Sequence, residues 1–193
     1  YASSTIALDA DTGDMVWYFQ HVPNESWDFD QPSTRMLYDG ADGTPTAGVF
    51  TRSGHYYTFD RNDGTFLAAD QWATTVNWTA GIDEKTGLPV DYDPNAAVQR
   101  YAGVSPTRGE QVGDSCPQWN GGPTALNPPA FDPVNRVTYL QVADGCLGAT
   151  TVAGFPDTAE AAAADGINRI GNAAGVQAQR EAPSQPPVYS IYA

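Results

Sequence analysis

The chain has 193 residues, 41% of them hydrophobic and 11% aromatic, enough for one domain with a sizeable core and far from a disordered composition. Nine Lys and Arg stand against 23 Asp and Glu, a formal charge of -14 with Lys85 the single lysine, so the clustered cations that a phosphate backbone demands are missing and nucleic acid is set aside as a partner. No stretch approaches the ~20 apolar residues of a membrane-spanning helix, and the chain opens at Tyr1 without a charged-then-apolar leader.

With 19 Gly and 15 Pro, the punctuation suits many short strands joined by turns. The first copy of a repeated pattern is Ser4 to Phe19, "STIALDADTGDMVWYF", an apolar strand, an Asp-Ala-Asp-Thr-Gly turn and a second strand holding Trp17. The turn needs Asp9 to bond its own backbone and Gly13 to take positive φ. The run "DADTGD" lacks the central Gly and closing Glu of a calcium loop and is therefore a hairpin turn.

Next comes "HVPNESWDFDQP", His21 to Pro32, with Asp28 and Asp30 framed by Trp27 and Phe29. On an extended strand, residues i and i+2 share a face at a spacing of ~6.6 Å. Two such carboxylates repel unless a cation sits between them or one is protonated. The residues alone leave four readings: local turn aspartates, a glycosidase pair, a metal site, or a metal ligand beside a general base. The glycosidase reading suffers because both acids sit at neighbouring positions of one strand, which rarely flank a sugar bond.

His55 to Trp72, "HYYTFDRNDGTFLAADQW", repeats the hairpin, with Asp60 and Gly64 in the places of Asp9 and Gly13. "DYDPN", Asp91 to Asn95, is expected to be another hairpin turn. A third copy, Pro129 to Val142, keeps strand, Asp132, turn and strand but puts Arg136 where the glycine stood. His21 and His55 fall at strand ends without a partner at metal-ligand spacing and read as surface or packing histidines. Asn24-Glu-Ser and Asn77-Trp-Thr spell glycosylation sequons by chance. Cys116 and Cys146 either pair, a link contributing about 3 to 4 kcal/mol in the chain-entropy picture, or are two free buried thiols.

Between the third copy and the end, residues 147–187 read as a loop and helix insertion, with Asp157 as N-cap, Glu160 completing a capping box and Gly166 as a stop. Tyr189 to Ala193 lines up with Ser3 to Ala7, as if a further copy were starting. A lone hairpin cannot bury its apolar face. Copies spaced by roughly 50 to 75 residues therefore predict an all-β fold of four-stranded antiparallel blades around an axis, with a short inserted surface helix. At about 40 to 50 residues per blade, the chain is read as a partial β-propeller over 1–193, a piece of a longer one.

Four segments carry a resemblance: "ALDADTGDMVWYFQHVPNESWDFD", "TRSGHYYTFDRNDG", "VNWTAGIDEKTGLPV" and "CPQWNGGPTALNPPAFDP". Together they resemble the PQQ-dependent (quinoprotein) alcohol dehydrogenases of the methanol and ethanol dehydrogenase type, from about residue 3 to residue 146. The resemblance implies an eight-bladed propeller with the quinone stacked in a central funnel over a metal ion. By position it makes Asp28 the catalytic base and a metal-site residue. Asp30 becomes the extra aspartate of the lanthanide-using branch and a metal ligand, Arg52 the basic contact to the quinone's carbonyl edge, and Asn127 a quinone contact. The implied cofactors are PQQ with Ca2+ or a lanthanide ion. The implied partners are a small alcohol, a cytochrome c type electron acceptor and the rest of the propeller, in a bacterial periplasm. The competing reading is a non-catalytic propeller of similar repeat that binds proteins as a scaffold.

Overall fold

The computed structural model describes residues 3–25, 27, 29–96, 99, 101, 111–117, 128–150 and 188–192. Asp28, Asn127 and the helix expected after Asp157 lie outside them. The regular structure among the described residues is all strand, and each pairing is antiparallel.

β1 (Ser4–Leu8) and β2 (Met15–Gln20) form a two-stranded sheet. β3 (Met36–Asp39), β4 (Pro45–Phe50), β5 (His55–Asp60) and β6 (Phe66–Gln71) form a four-stranded meander in chain order. β7 (Gln111–Ser115) pairs with β10 (Leu147–Thr150), and β8 (Ala130–Asp132), β9 (Val137–Asp144) and β11 (Val188–Tyr192) make a three-stranded sheet with β9 in the middle.

Alternation places the side chains. On β5, His55, Tyr57 and Phe59 are buried on the face toward β2, where they meet Trp17 and Phe19, while Tyr56 turns to the opposite face and the third sheet. β4 is buried on both faces, as expected for an inner strand between packed layers. Gly48 is required there, because a Cβ would lie 1.9 Å from the hydroxyl of Tyr56, which bonds the hydroxyl of Tyr38 at 3.0 Å.

Three apolar clusters result. Trp17, Val49, Tyr57 and Phe59 fill the space between the first two sheets. Met36, Phe50, Trp72, Leu140 and Val142 join the second sheet to the third. Val22, Trp27, Phe29, Trp78 and Tyr101 pack under the loops after β2.

The Asp-led turns behave as their sequence predicts. Asp9 accepts the N–H groups of Asp11 and Thr12, and Gly13, at φ +77°, returns its N–H to the Asp9 carbonyl. Asp60 and Gly64 repeat the turn, and so do Asp83 and Gly87, a copy that the repeat pattern had not singled out. Arg136 takes the glycine's place at φ 58°, held by a bond from its guanidinium to the Asp39 carbonyl. "DYDPN" is not a hairpin turn. It follows the isolated bridge Ile82 to Pro89, and Asp91 accepts the Thr79 hydroxyl at 2.5 Å instead of closing a pair of strands.

The third copy shares the turn of the others and takes another place in its sheet: β5 and β6 close their sheet, whereas β8 and β9 open theirs, with β11 beside β9. One further expectation is corrected. Residues 147–150 are strand, not the start of a loop insertion. Cys116 and Cys146 are disulfide-bonded with Cα atoms 4.4 Å apart, which sets Leu147 opposite Ser115 and lets the two strands pair away from the link.

Candidate active site

Antiparallel connectivity sorts the loops by end. The turns at 9–13, 40–44, 60–64, 83–87 and 132–136 gather at one end of the sheets. Trp17 bonds the carbonyl of Arg61, Phe66 lies against Gly87, and Arg136 reaches Asp39. The loop after β2, the β4–β5 turn and the disulfide lie at the other end.

The β4–β5 turn carries Arg52, and its backbone is fixed from every side. Trp72 Nε1 donates to the Thr51 carbonyl at 3.0 Å and Trp78 Nε1 to the Ser53 carbonyl at 2.8 Å. The Gly54 carbonyl accepts the N–H groups of Trp72 and Ala73. The Thr51 hydroxyl donates to the His55 carbonyl at 2.8 Å. Gly54, at φ +100°, leaves room for Val76 and Pro117, either of which a Cβ would crowd.

The loop carrying Asp30 is fixed as firmly. The Glu25 carboxylate accepts the N–H groups of Trp27 and Phe29, curling the chain about one acceptor. Trp27 and Phe29 stack with centroids 5.6 Å apart and turn inward against Trp78. The Phe29 carbonyl accepts the Ser3 hydroxyl, and Arg35 ties down the carbonyls of Gln31 and Ser33.

These loops bring Arg52 and Asp30 together across 22 residues, with Arg52 Nη1 donating to Asp30 Oδ1 at 2.5 Å. The Asp30 side chain is 56% exposed and that of Arg52 16%. A pair with one partner so open to water contributes about 0.2–1 kcal/mol, too little for stability to explain the arrangement. The Arg52 Nε–H is buried and lacks a hydrogen-bond partner, so one charged donor remains unmet.

Of the residues singled out by sequence, the structure joins Asp30 to Arg52; Asp28 and Asn127 lie outside the described residues. Both histidines are packing residues. Burial, with the Arg35 charge adding to it, pushes the His21 pKa down to about 3, and His21 bonds Thr5 and sits edge-on to Tyr57. Burial likewise lowers His55 to about 4, with a bond to the Ser53 carbonyl opposing it. Sequence reasoning missed Glu25 and Trp78. A glutamate two residues before a Trp-x-Phe motif was the available signal for the first, and an indole inside the quoted "VNWTAG" for the second.

No three His, Cys, Asp or Glu side chains converge among the described residues. The donor chemistry suits a hard cation: the histidines are buried and neutral, the thiols are spent in the disulfide, and a carboxylate oxygen is what is offered.

Residues 1–69 match the family described as the PQQ glucose/ethanol/alcohol dehydrogenase β-propeller domain. The quinoprotein alcohol dehydrogenase PedE of Pseudomonas putida is 31% identical over 144 residues, 72% of this chain and 22% of that protein. The matched region belongs to the quinoprotein dehydrogenase propeller family. Among solved structures, a europium-containing methanol dehydrogenase superposes on this chain with a TM-score of 0.68 at 26% identity, over 80% of this chain and 26% of that one. The quinohemoprotein alcohol dehydrogenase from Comamonas testosteroni superposes with a TM-score of 0.61 at 27% identity, over 78% and 21% of the two chains. This chain thus spans 21% to 26% of the length of these relatives.

Proposed function

We propose that the chain supplies part of the active site of a quinoprotein dehydrogenase oxidising an alcohol to an aldehyde or ketone, with PQQ and calcium or a lanthanide ion as cofactors. The observation that carries this reading is the Arg52–Asp30 pair, held by buried aromatic residues and keeping a guanidinium N–H unmet. A propeller that only binds proteins has no use for such a donor, so the pair also weighs against the scaffold reading.

PQQ bound beside a cation supplies an electrophilic carbonyl carbon that accepts hydride from the alcohol. Arg52 presents a fixed positive charge to the negative charge that develops, in a setting already organised before reaction. Asp30 offers an oxygen to the cation, and its charge favours a trivalent ion over a divalent one. Asp28 takes the hydroxyl proton of the alcohol onto its carboxylate, and Asn127 adds an amide contact to the quinone. Electrons pass to a cytochrome c type acceptor, for which a chain of charge -14 favours a basic partner. The disulfide supports an oxidising compartment and so a periplasmic location.

The test reconstitutes the full-length protein with PQQ and either calcium or a light lanthanide and follows dye-linked alcohol oxidation. Asp28→Asn should lower turnover about 100-fold or more, and full activity in that variant removes the base. Asp30→Ala should depress the lanthanide-supported rate more than the calcium-supported one. An equal response to both metals removes the preference.

A further inference from the structure

Trp78 is fully buried and reaches both the Arg52 turn and the Asp30 loop. Its indole N–H holds the carbonyl of Ser53, the residue after Arg52, at 2.8 Å. Its ring meets Phe29, the residue before Asp30, at a centroid distance of 5.9 Å, and Trp27 at 5.5 Å. Tyr101 closes the far side edge-on at 5.4 Å and bonds the Pro23 carbonyl at the start of the Asp30 loop.

The preceding residue anchors the indole. Asn77 exchanges two hydrogen bonds with Cys116, the Asn77 N–H donating to the Cys116 carbonyl at 3.0 Å and the Cys116 N–H donating to Asn77 Oδ1 at 2.8 Å. Cys116 is pinned in turn by the disulfide to Cys146. Asn77 and Trp78 therefore link a covalent clamp to two loops that have no backbone hydrogen bond to each other among those described.

From this geometry we infer that Trp78 is a positioning residue that sets Arg52 and Asp30 at their working separation, a role that rests on the quinone site proposed above. The indole fixes a carbonyl one peptide from the guanidinium and meets edge-on a ring one residue from the carboxylate, so a change at Trp78 displaces one partner against the other. A displacement of an ångström or less is enough to lose a charge-assisted contact.

The experiment titrates the full-length apoprotein with PQQ by absorbance, comparing the original sequence, Trp78→Phe, Arg52→Ala and the double variant, with thermal unfolding recorded for each. Trp78→Phe keeps a ring and deletes the N–H. It should weaken PQQ binding about tenfold in the original background and less than about twofold once Arg52 is gone, because its effect acts through Arg52. Equal weakening in both backgrounds, or none in either, overturns the proposal while leaving Arg52 as a quinone contact. Unchanged binding in Arg52→Ala overturns the quinone site and this inference together. Should Trp78→Phe fail to accumulate, Phe29→Leu cuts the other arm of the bridge, and the same non-additivity with Arg52→Ala is required.

Discussion

At one end of the sheets the connections are Asp-led turns whose carboxylates bond their own backbone; at the other, the long loop after β2 and the tight β4–β5 turn are joined by two charged side chains. Both ends are rich in acid, but the acids are used differently. Hydrogen bonds from Thr12, Thr44 and Thr65 N–H groups hold Asp9, Asp42 and Asp63 below the usual carboxylate range, and the side chains of Thr86 and Asn135 do the same for Asp83 and Asp132. These carboxylates have partners within three residues and are free for little else. Asp30 finds its partner 22 residues away in another loop. Asp39 reaches Arg61 over the same separation at the turn end, so what sets the Asp30–Arg52 pair apart is its more buried guanidinium, 16% exposed against 36% for Arg61.

Four measurements would break or sharpen that contrast. Arg52→Ala should cost the reconstituted full-length enzyme about 100- to 1,000-fold in turnover, the scale of a lost preorganised donor, while its unfolding midpoint moves little. A large loss of stability with preserved turnover would make the loop end structural after all. Gly64→Ala should act in the opposite sense. The residue sits at φ +78° with the Trp17 ring 2.7 Å from where a Cβ would lie, so denaturant unfolding should report about 3 kcal/mol of lost stability and PQQ titration no change in affinity.

The pH dependence of stability separates the ends by region. His21 and His55 have folded pKa values of about 3 and about 4 against an unfolded 6.5. The unfolded chain therefore takes up their protons first. Their contribution is complete above pH 6.5 and falls as the pH drops toward 4, by about 1.4 kcal/mol per pH unit for each histidine fully titrating only when unfolded. The turn aspartates, with folded values below 3.8, lose their contribution only below that pH. Urea midpoints across this range should decline in two limbs, and His21→Gln should flatten the upper limb alone. The smallest effect is expected at Arg136→Gly, where relief of a left-handed backbone outweighs one lost bond and raises stability by about 0.5 kcal/mol.

The hairpins were legible because their grammar is local: an Asp to bond the turn, a residue at positive φ and apolar residues on either side. The same locality left the place of the third copy in its sheet unread, since a turn does not record whether its hairpin opens a sheet or closes it. That depends on which strand arrives next, and β11 lies 44 residues beyond β9. The pairing of Cys116 with Cys146 stayed open for a similar reason, because spacing alone gives no Cα separation. At the site, Asp30 and Arg52 were singled out by the family resemblance of their segments, and the structure brings the two side chains together. The supports were not singled out: Glu25 acts through backbone N–H groups, and Trp78 through a carbonyl contributed by Ser53, a residue with no chemical signal of its own.

The ring of Trp17 occupies the volume left by the absent side chain of Gly64, and Phe66 does the same for Gly87. In both couples a ring from one hairpin fits the glycine of a later Asp-led turn along the chain, so these neighbours are matched by shape as well as by connectivity. An engineer exchanging blades between such proteins would have to move the couple intact. A transplanted hairpin whose neighbour lacked the glycine would be refused on shape before any question of catalysis arose.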